Sequence, residues 1–139
     1  MLQRIQSVWL FLTSVFSAIT FKFPFYNGDW LKDNLPNIFV DLNATTTIWL
    51  TIITVIIGVL AFITIFLFKD RKLQLKLCYL GIFLSLVLLT LYVLEMLNFE
   101  EGTIAFWVIF YAGILISYIF AARGINKDQK LIKSMDRLR

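Results

Sequence analysis

The chain of 139 residues contains no histidine, one cysteine, two prolines and six glycines. Without histidine it lacks the side chain that most often acts as a general base near neutral pH, and the usual imidazole ligand of metals and haem. The single cysteine, Cys78, cannot close an internal disulfide or form the thiol pair of a quinone-linked oxidoreductase. Charge is also scarce: 16% of residues are charged, against 60% hydrophobic and 17% aromatic, and mean hydropathy is +0.82. A soluble domain is usually about 45–50% apolar. The composition therefore excludes a soluble globular enzyme, a disordered chain and a disulfide scaffold. No glycine-rich phosphate loop, metal-spaced ligand set or hydrolytic triad occurs, so the sequence nominates no catalytic, cofactor-binding or metal-binding residue.

What is present is apolar sequence in four blocks. Ile5–Phe21, Leu42–Phe68, Leu77–Leu94 and Gly102–Ala122 contain no charged residue. A helix needs about 20 mostly apolar residues to cross a bilayer core, and each block reaches or approaches that length. The expected fold is an all-α membrane protein of four transmembrane helices in an antiparallel bundle. They fall at about 3–23, 43–68, 75–98 and 103–123, in one membrane domain over 1–139. The first block is read as an uncleaved helix, because cutting after Ala18 would leave bulky Phe16 where a signal peptidase wants a small residue.

Pro24 ends the first helix and opens an aromatic outer loop, 24–42, in which Asn27-Gly28 is a turn signal. The loop is expected to form a short hairpin or to lie on the membrane surface. The brief Phe99–Gly102 linker predicts a tight hairpin of the third and fourth helices. Gly124 is placed to cap the fourth helix. The cytoplasmic tail 124–139 then reads as a separate amphipathic interfacial helix. Ile125, Leu131, Ile132, Met135 and Leu138 share one face, and Lys127, Lys130, Lys133 and Arg137 the other. Asp128 intrudes on the apolar side.

The charges are sorted by segment. Eleven of the 13 basic residues lie before the first block, between the second and third, or after the fourth. Six of the nine acidic residues lie in the two remaining connections, with only Lys22 and Lys32. Short Lys/Arg-rich segments stay in the cytoplasm, which predicts both termini inside a bacterial inner membrane. The basic ends nominate Gln3, Arg4, Gln6, Arg71, Lys72, Gln74, Lys76, Lys127, Lys130, Lys133 and Arg137 as contacts to a partner or to anionic lipid. Nucleic acid is not an expected partner, since topology accounts for the charge. No ionisable residue is expected at mid-membrane, and Glu95 comes nearest, at the outer end of the third helix.

In lipid, helices associate through close approach at small residues. Thr47, Thr51, Thr54, Gly58 and Ala61 make such a seam on the second helix, and Gly113, Ser117 and Ala121 on the fourth. Cys78, Gly81 and Ser85 serve the third, and Ser14 and Ala18 the first.

Three blocks carry a resemblance: Leu2-Gln3-Arg4-Ile5-Gln6, Arg71-Lys72-Leu73-Gln74-Leu75-Lys76-Leu77-Cys78, and the basic tail from Lys127 to Arg139. In order and spacing the chain resembles a small four-helix integral membrane family of unknown function from Bacteroidota. Tyr79, where a basic residue is expected, and the weakly charged Gly124–Asn126 depart from that pattern. The resemblance implies an inner-membrane location and supplies no reaction. The expected role is a non-catalytic accessory subunit of a larger inner-membrane complex, with other integral membrane subunits as partners and no cofactor. Protein-export and insertion machinery are examples of such complexes. The alternative is a small self-associating transporter or channel lined by the threonine seam.

Reversing Lys69, Arg71, Lys72 and Lys76 to acidic residues is expected to disturb insertion. Unchanged orientation of a reporter fused after residue 139 contradicts the charge reading.

Overall fold

The computed structural model describes residues 2–30 and 38–138. It is mostly helical, with α1 (Leu2–Ile19), α2 (Ile48–Phe66), α3 (Arg71–Met96) and α4 (Val108–Arg137). Three strands also occur: β1 (Tyr26–Trp30), β2 (Ile38–Leu42) and β3 (Phe99–Ile104). The helices α2, α3 and α4 are long and apolar enough to cross a membrane, while the apolar part of α1, Ile5–Ile19, is shorter. Each of α1 and α3 packs against both α2 and α4.

The buried positions follow one rule. On α2 they are Leu50, Thr54, Ile57, Ala61 and Thr64. On α3 they are Gln74, Cys78, Gly81, Ser85, Leu88 and Tyr92. On α1 the series is Gln6, Leu10, Thr13 and Ser17, continued by Thr20 just beyond the helix. On α4 it runs Tyr111, Ile114, Tyr118, Ala121, Ile125 and Asp128, with Ser117 and Ala122 buried beside it. Every series alternates steps of three and four, the spacing that keeps one stripe of a helix facing its neighbours in a gently supercoiled bundle. Many of these residues are small or polar. Many large apolar side chains point outward: Ile52, Val55, Val59, Phe62 and Phe66 on α2, and Phe83 and Leu94 on α3, are exposed. An outward apolar surface around an interior that includes small and polar residues is the arrangement that lipid selects.

The inward polar atoms are bonded across the helices. Ser17 Oγ donates to the carbonyl of Thr54 at 2.9 Å. Gly58, one turn later, makes room for it, since a Cβ there would lie 2.8 Å from that same Oγ. Tyr118 Oη donates to the carbonyl of Ile57 at 2.8 Å. Its ring lies over Gly81, where any Cβ would overlap it. Tyr111 Oη donates to the carbonyls of Phe23, at 2.8 Å, and Thr20, at 3.2 Å. These carbonyls follow the end of α1, where a helix runs out of its own donors. The buried hydroxyls of Thr54 and Thr64 bond back to their own helix, to Leu50 at 2.7 Å and Leu60 at 2.6 Å, whereas Ser117 Oγ and Tyr92 Oη have no hydrogen-bond partner among the described residues.

The sequence reading differs from the structure at several points. The fold is not purely helical: β1 pairs antiparallel with both β2 and β3, in the order β2-β1-β3. Asn27 and Gly28 lie inside the central strand rather than at a turn, with Gly28 opposite Val40 and Gly102. Gly28 is required there by close approach, since a Cβ would collide with the backbone of Glu101. The connection between β1 and β2, at 31–37, lies outside the described residues. The segment after α3 is a strand because β1 offers it a free edge. Phe25 pins the sheet to the bundle. Its backbone bonds to Leu42 and Ala105, and its ring stacks on Tyr92 at 4.9 Å and meets Tyr111 edge-on at 5.1 Å.

Helix limits shift for local reasons. Residues 43–47 stay outside α2 because Asn43 Oδ1 accepts bonds from the Thr45 amide, at 3.0 Å, and the Thr45 hydroxyl, at 2.6 Å. The first helix stops at Ile19, and Thr20 Oγ1 turns back to the carbonyl of Ser17 at 2.7 Å. Ala18 is exposed and Ser14 half-buried, because Ser17 has an acceptor across the interface. The largest difference is α4, which runs unbroken from Val108 to Arg137. Gly124 does not cap it, and the tail is not a separate surface-lying helix. Gly124 is there for close packing: a Cβ would lie 2.8 Å from Gln6 Cγ.

Two substitutions separate hydrogen bonding from packing at the α2–α3–α4 contact. Tyr118→Phe is expected to cost about 1 kcal/mol, since Ile57 keeps its helical bond. Gly81→Leu, which evicts the ring, is expected to cost about 1–3 kcal/mol. Unfolding midpoints in detergent should therefore fall further for Gly81→Leu, and the reverse order contradicts this account of the glycine.

Candidate functional site at the basic end

Two buried glutamines organise the end of the bundle where the basic residues gather. Gln6 is 6% exposed and Asp128 7%. Gln6 Nε2 donates to Asp128 Oδ2 at 2.6 Å, joining the start of α1 to the far part of α4. The acidic residue that breaks the amphipathic pattern in the sequence thus occupies a position of the inward stripe. Its carboxylate is charge-assisted in accepting the bond, which strengthens it. Gln74, 4% exposed, donates from Nε2 to the carbonyl of Thr64 at 3.2 Å. That carbonyl belongs to the last turn of α2, so the bond fixes the α2–α3 turn.

Between these anchors lies a groove of about 540 Å³. Phe68, Lys69, Asp70, Arg71 and Lys72 of the α2–α3 turn form one side, and Gln129, Ile132 and Lys133 of α4 the other. Asp70 is the N-cap of α3 but makes no side-chain capping bond. Among the described residues, Lys69, Arg71, Lys72 and Lys133 form no ion pair.

The nominated contact residues therefore divide. Arg71, Lys72 and Lys133 are brought together at the groove. Lys76, Lys127, Lys130 and Arg137 are exposed and lie outside its lining. Gln6 and Gln74 are not surface contacts, because both carboxamides are spent inside the protein. The side chains of Gln3 and Arg4 lie outside the described residues. Lys69, absent from the nominated set, is a groove residue, and its place in the basic run 69–72 was the available signal.

The packing seam also divides. Thr54, Ala61, Ser117 and Ala121 are fully buried or nearly so, Gly58 lies against Ser17, and Gly113 against Phe16. Thr47 is the N-cap of α2 rather than a member of the stripe, and its Oγ1 reaches Glu95 at 3.5 Å. Thr51 Oγ1 bonds to the carbonyl of Ala44 at 2.7 Å. Glu95 also accepts from Asn98 at 3.1 Å, at the opposite, acidic end. Cys78 is buried in the core. Among the described residues no three metal-ligating side chains are gathered.

The Gln6–Asp128 pair yields a stability test. Asp128→Leu leaves the Gln6 carboxamide buried and unpaired, at an expected cost of about 1–3 kcal/mol. Adding Gln6→Leu removes the orphaned group and should recover much of that loss. A double variant no more stable in detergent than Asp128→Leu contradicts the pairing.

No curated protein and no solved structure matches the chain. Over residues 2–138 it matches a family described as "Domain of unknown function (DUF4293)", and it belongs to that family.

Proposed function

We propose that the chain is a non-catalytic accessory subunit of a larger bacterial inner-membrane complex, held in the bilayer as an antiparallel bundle of four spans with both termini cytoplasmic. The sorting of charge supports the orientation. Asp29, Asp41, Glu95 and Glu101 lie with the sheet at one end, and the groove cations and the α4 extension lie at the other. At 18 residues α1 rises about 27 Å, close to the roughly 30 Å of hydrocarbon, so it serves as the fourth span. Aromatic rings fit the outer interface: Trp107 stacks on Phe23 at 4.1 Å, and Phe106 and Trp49 are exposed.

One observation carries the accessory role. The inward stripe of α4 does not stop where the bundle stops. After Asp128 it continues through Ile132, Met135 and Leu138, the last two 70% and 90% exposed. The 30 residues of α4 rise about 45 Å, well beyond the hydrocarbon thickness. A core stripe that none of the described residues covers is half of an interface. Lys127, Lys130, Lys133 and Arg137 flank it. Its occupant is therefore an acidic amphipathic helix of another integral membrane subunit, whose carboxylates would meet this basic rim. The channel alternative has no comparable support. Thr54 and Ala61 face the bundle interior, and the Thr51 and Thr54 hydroxyls are bonded to backbone carbonyls.

A photo-crosslinker at Met135 in the full chain, expressed in its native membrane, is expected to capture an integral membrane protein at an acidic helical segment. Replacing Leu131 and Leu138 with serine, with the crosslinker kept at position 135, should abolish capture without lowering the unfolding midpoint, because both are exposed. Crosslinks only to lipid, or to a second copy of this chain, overturn the reading.

A further inference from the structure

We propose that the groove between the α2–α3 turn and α4 is a binding site for the phosphodiester of an anionic phospholipid. It shares Ile132 and Lys133 with the docking stripe and its rim but takes a ligand of different chemistry, and either proposal can fail alone.

The groove brings four cations, Lys69, Arg71, Lys72 and Lys133, to one space of about 540 Å³, within the usual range for small-molecule sites. A single carboxylate, Asp70, opposes them there. Among the described residues these cations have no partner in the protein, so the net positive charge of the groove is uncompensated. Like charges crowd together at a cost unless an anion joins them. The start of α3 adds to the field, since its first amides have no side-chain cap and carry the positive end of the helix dipole.

Three features favour a lipid over a free anion. Phe68 and Ile132 are apolar walls beside the cations, as a headgroup site at the edge of hydrocarbon requires. The α2–α3 turn follows directly on the exposed apolar face of α2 that ends in Phe62 and Phe66. The same helix pair bears an entirely aliphatic groove of about 350 Å³, formed by Val55, Ile56, Val59, Leu60, Ile63 and Leu77 and suited to an acyl chain. The geometry is preorganised. Gln74 fixes one wall through Thr64, and the Gln6–Asp128 bond fixes the other.

The test titrates the purified full chain in a neutral detergent and reads its unfolding midpoint. The probes are phosphatidylglycerol, phosphatidylcholine and inorganic phosphate. Phosphatidylglycerol is expected to raise the midpoint in a saturable way. Phosphatidylcholine, whose choline offsets the phosphate, and millimolar inorganic phosphate should produce little shift. In the triple variant Lys69→Gln, Lys72→Gln, Lys133→Gln the half-saturating phosphatidylglycerol concentration should rise at least about tenfold, with the lipid-free midpoint kept. A control, Lys127→Gln, Lys130→Gln, Arg137→Gln, removes equal charge outside the groove and should leave the titration unchanged. Equal weakening in both variants shows diffuse electrostatic attraction and overturns the site. A full shift with inorganic phosphate alone overturns the lipid assignment. If the triple variant loses its lipid-free midpoint, phosphatidylglycerol retention in Lys133→Gln by native mass spectrometry decides. Retention equal to the wild type overturns the proposal, and a loss specific to it upholds it.

Discussion

In a medium without water, a polar group must find its partner within the protein, and that constraint organises this molecule. Hydrocarbon gives no hydrophobic drive between helices, so contacts must come from close packing and from polar groups with nowhere else to go. Ser17 reaching Thr54, Tyr118 reaching Ile57, Tyr111 reaching Phe23 and Gln6 reaching Asp128 each join two segments distant in sequence. Three of these bonds lie beside a glycine whose missing side chain makes the approach possible. Small residues and hydrogen bonds act together: the glycine brings the helices near, and the bond holds them in register.

The two ends of the bundle are built differently because they face different demands. At one end the chain leaves the helices as extended backbone, and the strand bonds of β1, β2 and β3 satisfy it. Phe25, held among Tyr92 and Tyr111, ties that sheet to the helices. At the other end the helices stop at different heights, and α4 continues alone. The polar side chains there do two jobs. Gln6, Gln74 and Asp128 turn inward to fix the helix ends, while the groove cations Lys69, Arg71, Lys72 and Lys133 form no ion pair among the described residues.

Much of this was legible in the sequence. Charge-free runs locate α2, α3 and the first half of α4, because length and apolarity alone permit a span. On α3 Cys78, Gly81 and Ser85 fall in the buried series, and on α2 the sequence seam shares Thr54 and Ala61 with the buried series there, since steps of three and four are a property of the helix itself. On α1 the same rule places the stripe at Ser14 and Ala18, whereas the structure buries Ser17 and exposes Ala18, one residue away. The acceptor that decides it, the Thr54 carbonyl, belongs to another helix. Asn27-Gly28 has the composition of a turn, and only pairing with Val40 and Gly102 makes it a strand centre. Asp128 looks like a flaw until Gln6, 122 residues away, is brought against it.

The sequence by itself determined that the chain carries apolar helices of membrane-crossing length, which of their faces are small and polar, and at which connections positive charge collects. These are local properties, set by composition and by the geometry of one helix. Tertiary structure alone decided that Gly124 continues a helix instead of ending it, that the short connections become a sheet, and that basic residues from two separate segments form one groove. Each of those outcomes depends on a partner group that the local chain does not contain.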